Sequence, residues 1–174
     1  MALEHITLRL AQGSDANRIA LMSRDLIEVG LGWSWQPERV ARTMRRSDTT
    51  TLVACDGRRV IGFAIMQFGD EYAHLSLLAI AASHRRRGIG KRLIAWLTES
   101  AYTAGIAVIH LELRTANQAA RRFYRALGFT EGAYIPGYYC GREMALRMMR
   151  ELRAPDTAAV QWQLPAPPRP APPK

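Results

Sequence analysis

Cysteine is scarce in this 174-residue chain: Cys55 and Cys140 stand far apart, with no CxxC spacing near either. Such usage supports neither a disulfide framework nor a thiolate zinc site. The four histidines, His5, His74, His84 and His110, are scattered, so spacing shows no metal cluster and no metal is expected. Lysine is as scarce. Lys91 and Lys174 are the only two, so 22 of the 24 cations are arginine, against 15 acidic residues and a formal net charge of +9. This deficit of negative charge leaves a surface that attracts polyanions: nucleic acid, acidic protein or a phosphorylated cofactor. Arginine usage set by genome base composition gives the same balance.

Long hydrophobic runs are missing too. The longest spans seven residues, Val60 to Met66, against the roughly 20 that cross a bilayer. The opening residues Met1-Ala2-Leu3-Glu4-His5 lack the basic and then apolar pattern of a secretion signal. A soluble, cytoplasmic protein with no membrane partner is expected. Proline is rare before residue 154, at Pro37 and Pro136 only; the other seven lie beyond, six of them in the last ten residues. The chain therefore divides into one domain over 1–153 and a Pro-rich segment over 154–174, which reads as a polyproline II or disordered tail.

What is present suits a globular domain, with 48% hydrophobic and 22% charged residues. A chain of this length buries roughly 70% of its unfolded surface and needs no crosslink to hold a core. Ile6, Leu8 and Leu10 alternate as in a strand. Ser14 or Asp15 can cap a helix that carries Ile19, Ala20, Leu26 and Ile27 and stops at Gly30. Pro37 opens a second helix reaching about Arg45. Thr50–Ala54 and Val60–Phe68 read as a hairpin around Asp56-Gly57, with Tyr72–Ile80 as the next strand. Residues 88–105 are helical by the recurrence of Ile89, Leu93, Trp96, Leu97 and Ala101. Val108–Leu113 is a strand, 117–127 a helix closed by Gly128, and two strands follow near 129–134 and 142–152. The order β-α-α-β-β-β-α-β-α-β-β predicts a mixed α/β (α+β) sheet with helices on both faces.

Chemistry concentrates in Leu78-Ala79-Ile80-Ala81-Ala82-Ser83-His84-Arg85-Arg86-Arg87-Gly88-Ile89-Gly90-Lys91. A strand ends, a basic loop follows and two glycines open a helix, with no acid anywhere in the stretch. Glycine lets backbone approach a ligand, while free N–H groups and the helix dipole favour an anion. That specifies a pyrophosphate cradle. A dinucleotide fingerprint fails because Leu93 stands at the third glycine position, and a P-loop fails because Arg85 and Arg92 replace its glycine and hydroxyl residue.

Arg85-x-x-Gly88-x-Gly90 instead resembles the acetyl-coenzyme-A loop of the GNAT N-acetyltransferase superfamily. A second block, Leu111-Glu112-Leu113-Arg114-Thr115-Ala116-Asn117 followed by Arg122-Phe123-Tyr124-Arg125-Ala126-Leu127-Gly128-Phe129, is similar to that family's N-x-x-A-x-x-x-Y-x-x-x-G-F segment. Together with the element order, the resemblance spans about 150 residues and implies the GNAT fold. It implies that Leu78, Ala79 and Ile80 pair with the pantetheine arm of acetyl-CoA. Arg85, Arg86, Arg87, Gly88, Ile89, Gly90 and Lys91 would hold the pyrophosphate, and Asn117 would contact the cofactor. Tyr124 would protonate the departing thiolate. Homodimers are common in the superfamily.

The reaction itself asks for a base, because an attacking amine must be neutral. Glu112 is the expected base: it shares one face of its strand with His110, and a carboxylate in so apolar a strand must be paired or used. An ion pair with Arg114 or another arginine is the structural alternative. His74, Ser76 and Glu71 on the preceding strand are weaker candidates. The Leu-Glu-Leu-Arg-x-x-Asn block looks most like the protein N-terminal acetyltransferases, including those acting on ribosomal-protein alanine, with Tyr134, Tyr138 and Tyr139 placed to line the acceptor site. Ala116 replaces that subgroup's usual Ser, and the first 45 residues, with Trp33 and Trp35, do not match it. A peptide N-terminus or a small-molecule amine is therefore expected as acceptor. The competing class is a basic nucleic-acid-binding module, but neither interleaved aromatics nor a helix-turn-helix is visible. A protein that senses acyl-CoA without turnover is the third reading.

Overall fold

The computed structural model describes residues 5–153; the Pro-rich segment lies outside them. Seven strands form one sheet in the order β1-β2-β3-β4-β5-β7-β6. They are β1 (Ile6–Leu10), β2 (Thr49–Asp56), β3 (Arg59–Phe68), β4 (Tyr72–Ile80), β5 (Val108–Arg114), β6 (Thr130–Tyr139) and β7 (Glu143–Glu151). The helices are α1 (Ala16–Leu26), α2 (Pro37–Met44), α3 (Ile89–Thr103) and α4 (Gln118–Ala126). This is the element order that the sequence predicts.

The apolar run of β3 is explained by burial on both faces. Ile61, Ala64 and Met66 join a core with Leu93, Ile94 and Leu97 of α3. Val60, Phe63 and Ile65 join a second core with Ile19, Ala20 and Met22 of α1 and Val40 of α2. The two cores lie on opposite sides of the sheet.

Some local expectations shift. The α1 helix ends at Leu26, four residues before Gly30, and the chain turns on the Glu28 carboxylate. That buried group accepts from Ser23 Oγ (3.0 Å), Ser34 N (2.8 Å) and Ser34 Oγ (2.5 Å). Asp15 stands at the N-cap but makes no side-chain cap; its carboxylate takes a bidentate Arg9 guanidinium instead, at 2.7 and 3.0 Å. A strand-to-turn ion pair outcompetes the helix N–H groups there. The β6 strand continues to Tyr139, past the expected Tyr134.

Two irregularities build the site. Met66 pairs with Leu75 but Ile65 pairs with Leu77, so Ser76 is an extra residue on β4. The bulge exchanges faces: Ala73 and Leu75 pack toward α3, whereas Leu77 and Ala79 pack toward α1 and α2. Then β4 and β5, the one parallel pair, are in register only for Tyr72↔Val108, Ala73↔Ile109 and His74↔His110. Beyond His74 the two strands part.

Candidate active site

The parted strands open a cavity of about 370 Å³, with Ser76, Leu78, Glu112, Asn117, Tyr124 and Tyr139 among its walls. Leu26 at the end of α1, with Ile27 and Val29 just after it, forms an apolar wall. This segment is tied across the opening: Arg114 Nη2 donates to Val29 O at 2.6 Å, and Cys140 Sγ to Leu31 O at 2.9 Å.

On the face toward α1 and α2, the parallel register sets His74 beside His110, their rings stacked at 4.7 Å. Glu112 follows on the same face of β5 and lies opposite Arg147 of β7. The Glu112 carboxylate is nearly enclosed. Its Oε2 meets His74 Nε2 at 2.7 Å and accepts from Tyr138 OH at 3.2 Å, while Oε1 accepts from Arg147 Nε at 2.7 Å. Burial opposes its charge, but the His74 and Arg147 partners prevail and hold the carboxyl down at about 2. Burial, with His74 next to it, lowers His110 to about 4. Burial raises the Tyr138 phenol to about 12. The arginine paired with Glu112 is thus Arg147. Arg114 faces Glu143 across 3.3 Å instead.

Tyr124 comes from α4. Its ring is wedged edge-on between Phe123 and Phe129, at 5.1 and 5.4 Å. Burial drives its phenol well above the ordinary tyrosine range, so the proton stays on at neutral pH. Asn117 caps α4, its Oδ1 accepting from Ala120 N at 3.1 Å, and also borders the cavity.

Across the end of β4, the loop leads to α3. Arg85, Arg86 and Arg87 are exposed, and Arg85 Nε folds back to Ile80 O at 3.2 Å. Arg86 holds a left-handed φ of 62° and Gly88 one of 73°. No side chain caps α3 at Gly88, so the first amides of the helix, on Ile89, Gly90 and Lys91, are open to an anion. A Cβ on Gly88 would meet nothing within 4 Å, whereas one on Gly90 would meet Phe123 Cζ at 3.1 Å. Gly88 therefore keeps the turn and the open approach, and Gly90 lets α3 pack on α4.

The remaining candidates separate. Ser76 lines the cavity, with its Oγ 3.4 Å from His74 Nδ1. Glu71 is exposed at the far end of β4. Tyr134 is 52% exposed, while Tyr138 and Tyr139 reach the site. Trp33 and Trp35 pack against the second core rather than forming the acceptor wall. The sequence reading missed Arg147 and the joining of His74 to His110. Of the two, only Arg147 left a signal, as the charged residue alternating with Leu146 and Met148.

The parted β4 edge and the uncapped, glycine-led α3 together offer open backbone and an anion site. The chain belongs to the acetyltransferase (GNAT) family, whose model matches residues 20–129. It is 36% identical over 118 residues to the [ribosomal protein bS18]-alanine N-acetyltransferase of Salmonella typhimurium, covering 61% of this chain and 78% of that one. N-alpha-acetyltransferase RimI of Mycobacterium tuberculosis is 30% identical over 141 residues, covering 78% and 85%. The structure of Arabidopsis thaliana NAA60 in complex with acetyl-CoA shares the fold, with a TM-score of 0.75 at 18% identity over 84% and 98% of the two chains. The protein is an N-acetyltransferase that uses acetyl-CoA as co-substrate.

Proposed function

We propose that the acceptor is the α-amine of a protein or peptide N-terminus, acetylated by direct transfer in the cytoplasm by a domain formed by residues 1–153. The observation that carries this reading is the cavity itself. It opens between the parted strands under an apolar wall and ends at a polar cluster around one carboxylate. The relatives named for ribosomal-protein alanine and N-alpha-acetylation support the same acceptor.

Acetyl-CoA supplies the acetyl group as a thioester activated toward amines. The backbone of Leu78, Ala79 and Ile80 would hold its arm along the unpaired edge of β4. The amides from Arg86 to Lys91 would hold its phosphates, with Arg85, Arg86 and Arg87 adding charge and Asn117 bordering the site. Tyr124, kept protonated by burial, delivers a proton from its Oη to the leaving sulfur. The cluster around Glu112 receives the proton that the amine loses. An α-amine has an ordinary pKa near ~7.7–8.0, so a useful fraction is neutral without a strong base. A lysine side chain, near ~10.4, is almost wholly charged. The apolar wall of Leu26, Ile27 and Val29 suits a small uncharged first residue.

The test is release of free coenzyme A over a panel of acceptors. Peptides with a free N-terminal alanine should turn over, and the same peptides with the α-amine blocked and a lysine present should not. Preference for a small-molecule amine over every peptide would overturn the acceptor assignment. Coenzyme A should also raise the melting temperature, whereas DNA and RNA should leave it unchanged.

A further inference from the structure

We propose that the amine proton leaves through Ser76 to His74, and that Glu112 holds the imidazole in place rather than accepting the proton itself. The inference rests on the acetyltransferase reading and asks where its proton goes.

Three observations converge on the route. Ser76 and Glu112 line the cavity, and His74, in contact with both, is the last residue of β4 paired with β5. Ser76 is the extra residue of the bulge, so its hydroxyl is displaced from the regular alternation of β4. Its Oγ lies 3.4 Å from His74 Nδ1, and His74 Nε2 lies 2.7 Å from Glu112 Oε2. A carboxylate on Nε2 fixes the tautomer with the proton on Nε2, which leaves the Nδ1 lone pair facing Ser76. Apo hydrogen bonds of this kind tighten when the site is filled.

Glu112 is badly placed to be the acceptor. Arg147 takes one oxygen, and His74 with Tyr138 takes the other. Its pairing at about 2 leaves it a weak base for an amine. The charged and titratable groups around His74 suit an imidazolium instead. Glu112 of β5 is its counter-charge, and Arg147 of β7 is already engaged by that carboxylate. His110 of β5 is neutral above about 4 and stacks flat on the ring. Tyr138 of β6 stays a phenol below about 12.

The proton count closes. As the amine nitrogen bonds to the acetyl carbon and the carbon–sulfur bond breaks, the nitrogen gives one proton to Ser76 Oγ. Ser76 gives its own hydroxyl proton to His74 Nδ1, and Nε2–H stays on Glu112. The His74 side chain is 32% exposed, so the imidazolium returns that proton to water, and Tyr124 Oη, having protonated the leaving sulfur, takes one proton back from water to close the cycle.

The primary test is ¹⁵N NMR of the ring nitrogens in the full chain without ligand. His74 should carry its proton on Nε2 at high pH and gain the second on Nδ1. A His74 protonated on Nδ1 at high pH would overturn the relay. In turnover of an acceptor amine that stays neutral across the pH range, the acid limb of the profile should vanish in His74→Gln. Ser76→Ala should lose about 10²–10⁴-fold, the range of a general acid–base step, and Ser76→Thr should recover most of it. An unchanged acid limb in His74→Gln, or full activity in Ser76→Ala, would remove the relay while leaving the acetyltransferase reading intact. A wild-type chain that turns over no amine would instead defeat the acetyltransferase reading.

Discussion

The loop into α3 and the cluster around Glu112 are built on opposite plans. The loop is contiguous, from Ile80 to Lys91, with Arg85 to Gly88 exposed, and what it offers a ligand is backbone amides and glycine. The cluster draws Ser76 and His74 from β4, His110 and Glu112 from β5, Tyr138 from β6 and Arg147 from β7, and it is largely enclosed. A ligand site made of backbone needs only a local turn and tolerates side-chain change. A proton site made of charged side chains needs several strands in register, and each member is costly to remove. The two regions should therefore fail differently.

The largest effect is expected at Arg147→Ala. It strips the guanidinium from a carboxylate whose side chain is 4% exposed, and an uncompensated buried charge costs about 3–5 kcal/mol. Urea unfolding should show that loss, whereas Arg86→Ala and Arg87→Ala in the exposed loop should shift stability by under about 0.5 kcal/mol while weakening coenzyme A binding. Equal stability losses in both regions would erase the contrast.

Tyr124→Phe comes next. It keeps the packing between Phe123 and Phe129 but removes the proton, so turnover should fall about 10²–10⁴-fold, with coenzyme A affinity by calorimetry unchanged. Full activity would remove Tyr124 as the acid.

Acid should act on the cluster and spare the loop. Folded His110 resists protonation down to about 4, whereas the unfolded chain takes the proton at about 6.5. Between those values the unfolded state binds more protons. Stability is therefore intact above pH 6.5 and is lost as pH falls, by up to about 1.4 kcal/mol per unit. Glu112 adds a loss of the same sign below 4.5, continuing toward 2. Thermal melts of His110→Asn should be flat between pH 6.5 and 4.5, where wild type declines. Parallel curves would show that His110 contributes nothing to the dependence.

A last, local effect separates the two glycines. Gly88→Ala places a Cβ in open space but on a left-handed φ of 73°, a strain of about 1–2 kcal/mol, and should weaken coenzyme A binding. Gly90→Val pushes against Phe123 as well, so it should lose melting temperature and binding together. Undiminished coenzyme A affinity in a folded Gly88→Ala chain would detach the loop from the cofactor.

The sequence alone determined the element order, because period-two and period-3.6 patterns and turn residues are local. It also determined the loop and the helix that carries Tyr124, since both are runs of neighbouring residues whose chemistry is read in place. The tertiary structure decided the partners of Glu112. The expected Arg114 sits on the same strand, two positions away, but points to Glu143 and Val29. Arg147 reaches Glu112 only because β7 inserts between β5 and β6 in the sheet, a choice that no local pattern encodes. The meeting of His74 with His110 likewise depends on one parallel register between strands separated by α3. The bulge at Ser76 interrupts the alternation by which sequence assigns residues to a face. Side-chain chemistry across strands is a property of register, and register is set by the packing of the whole sheet.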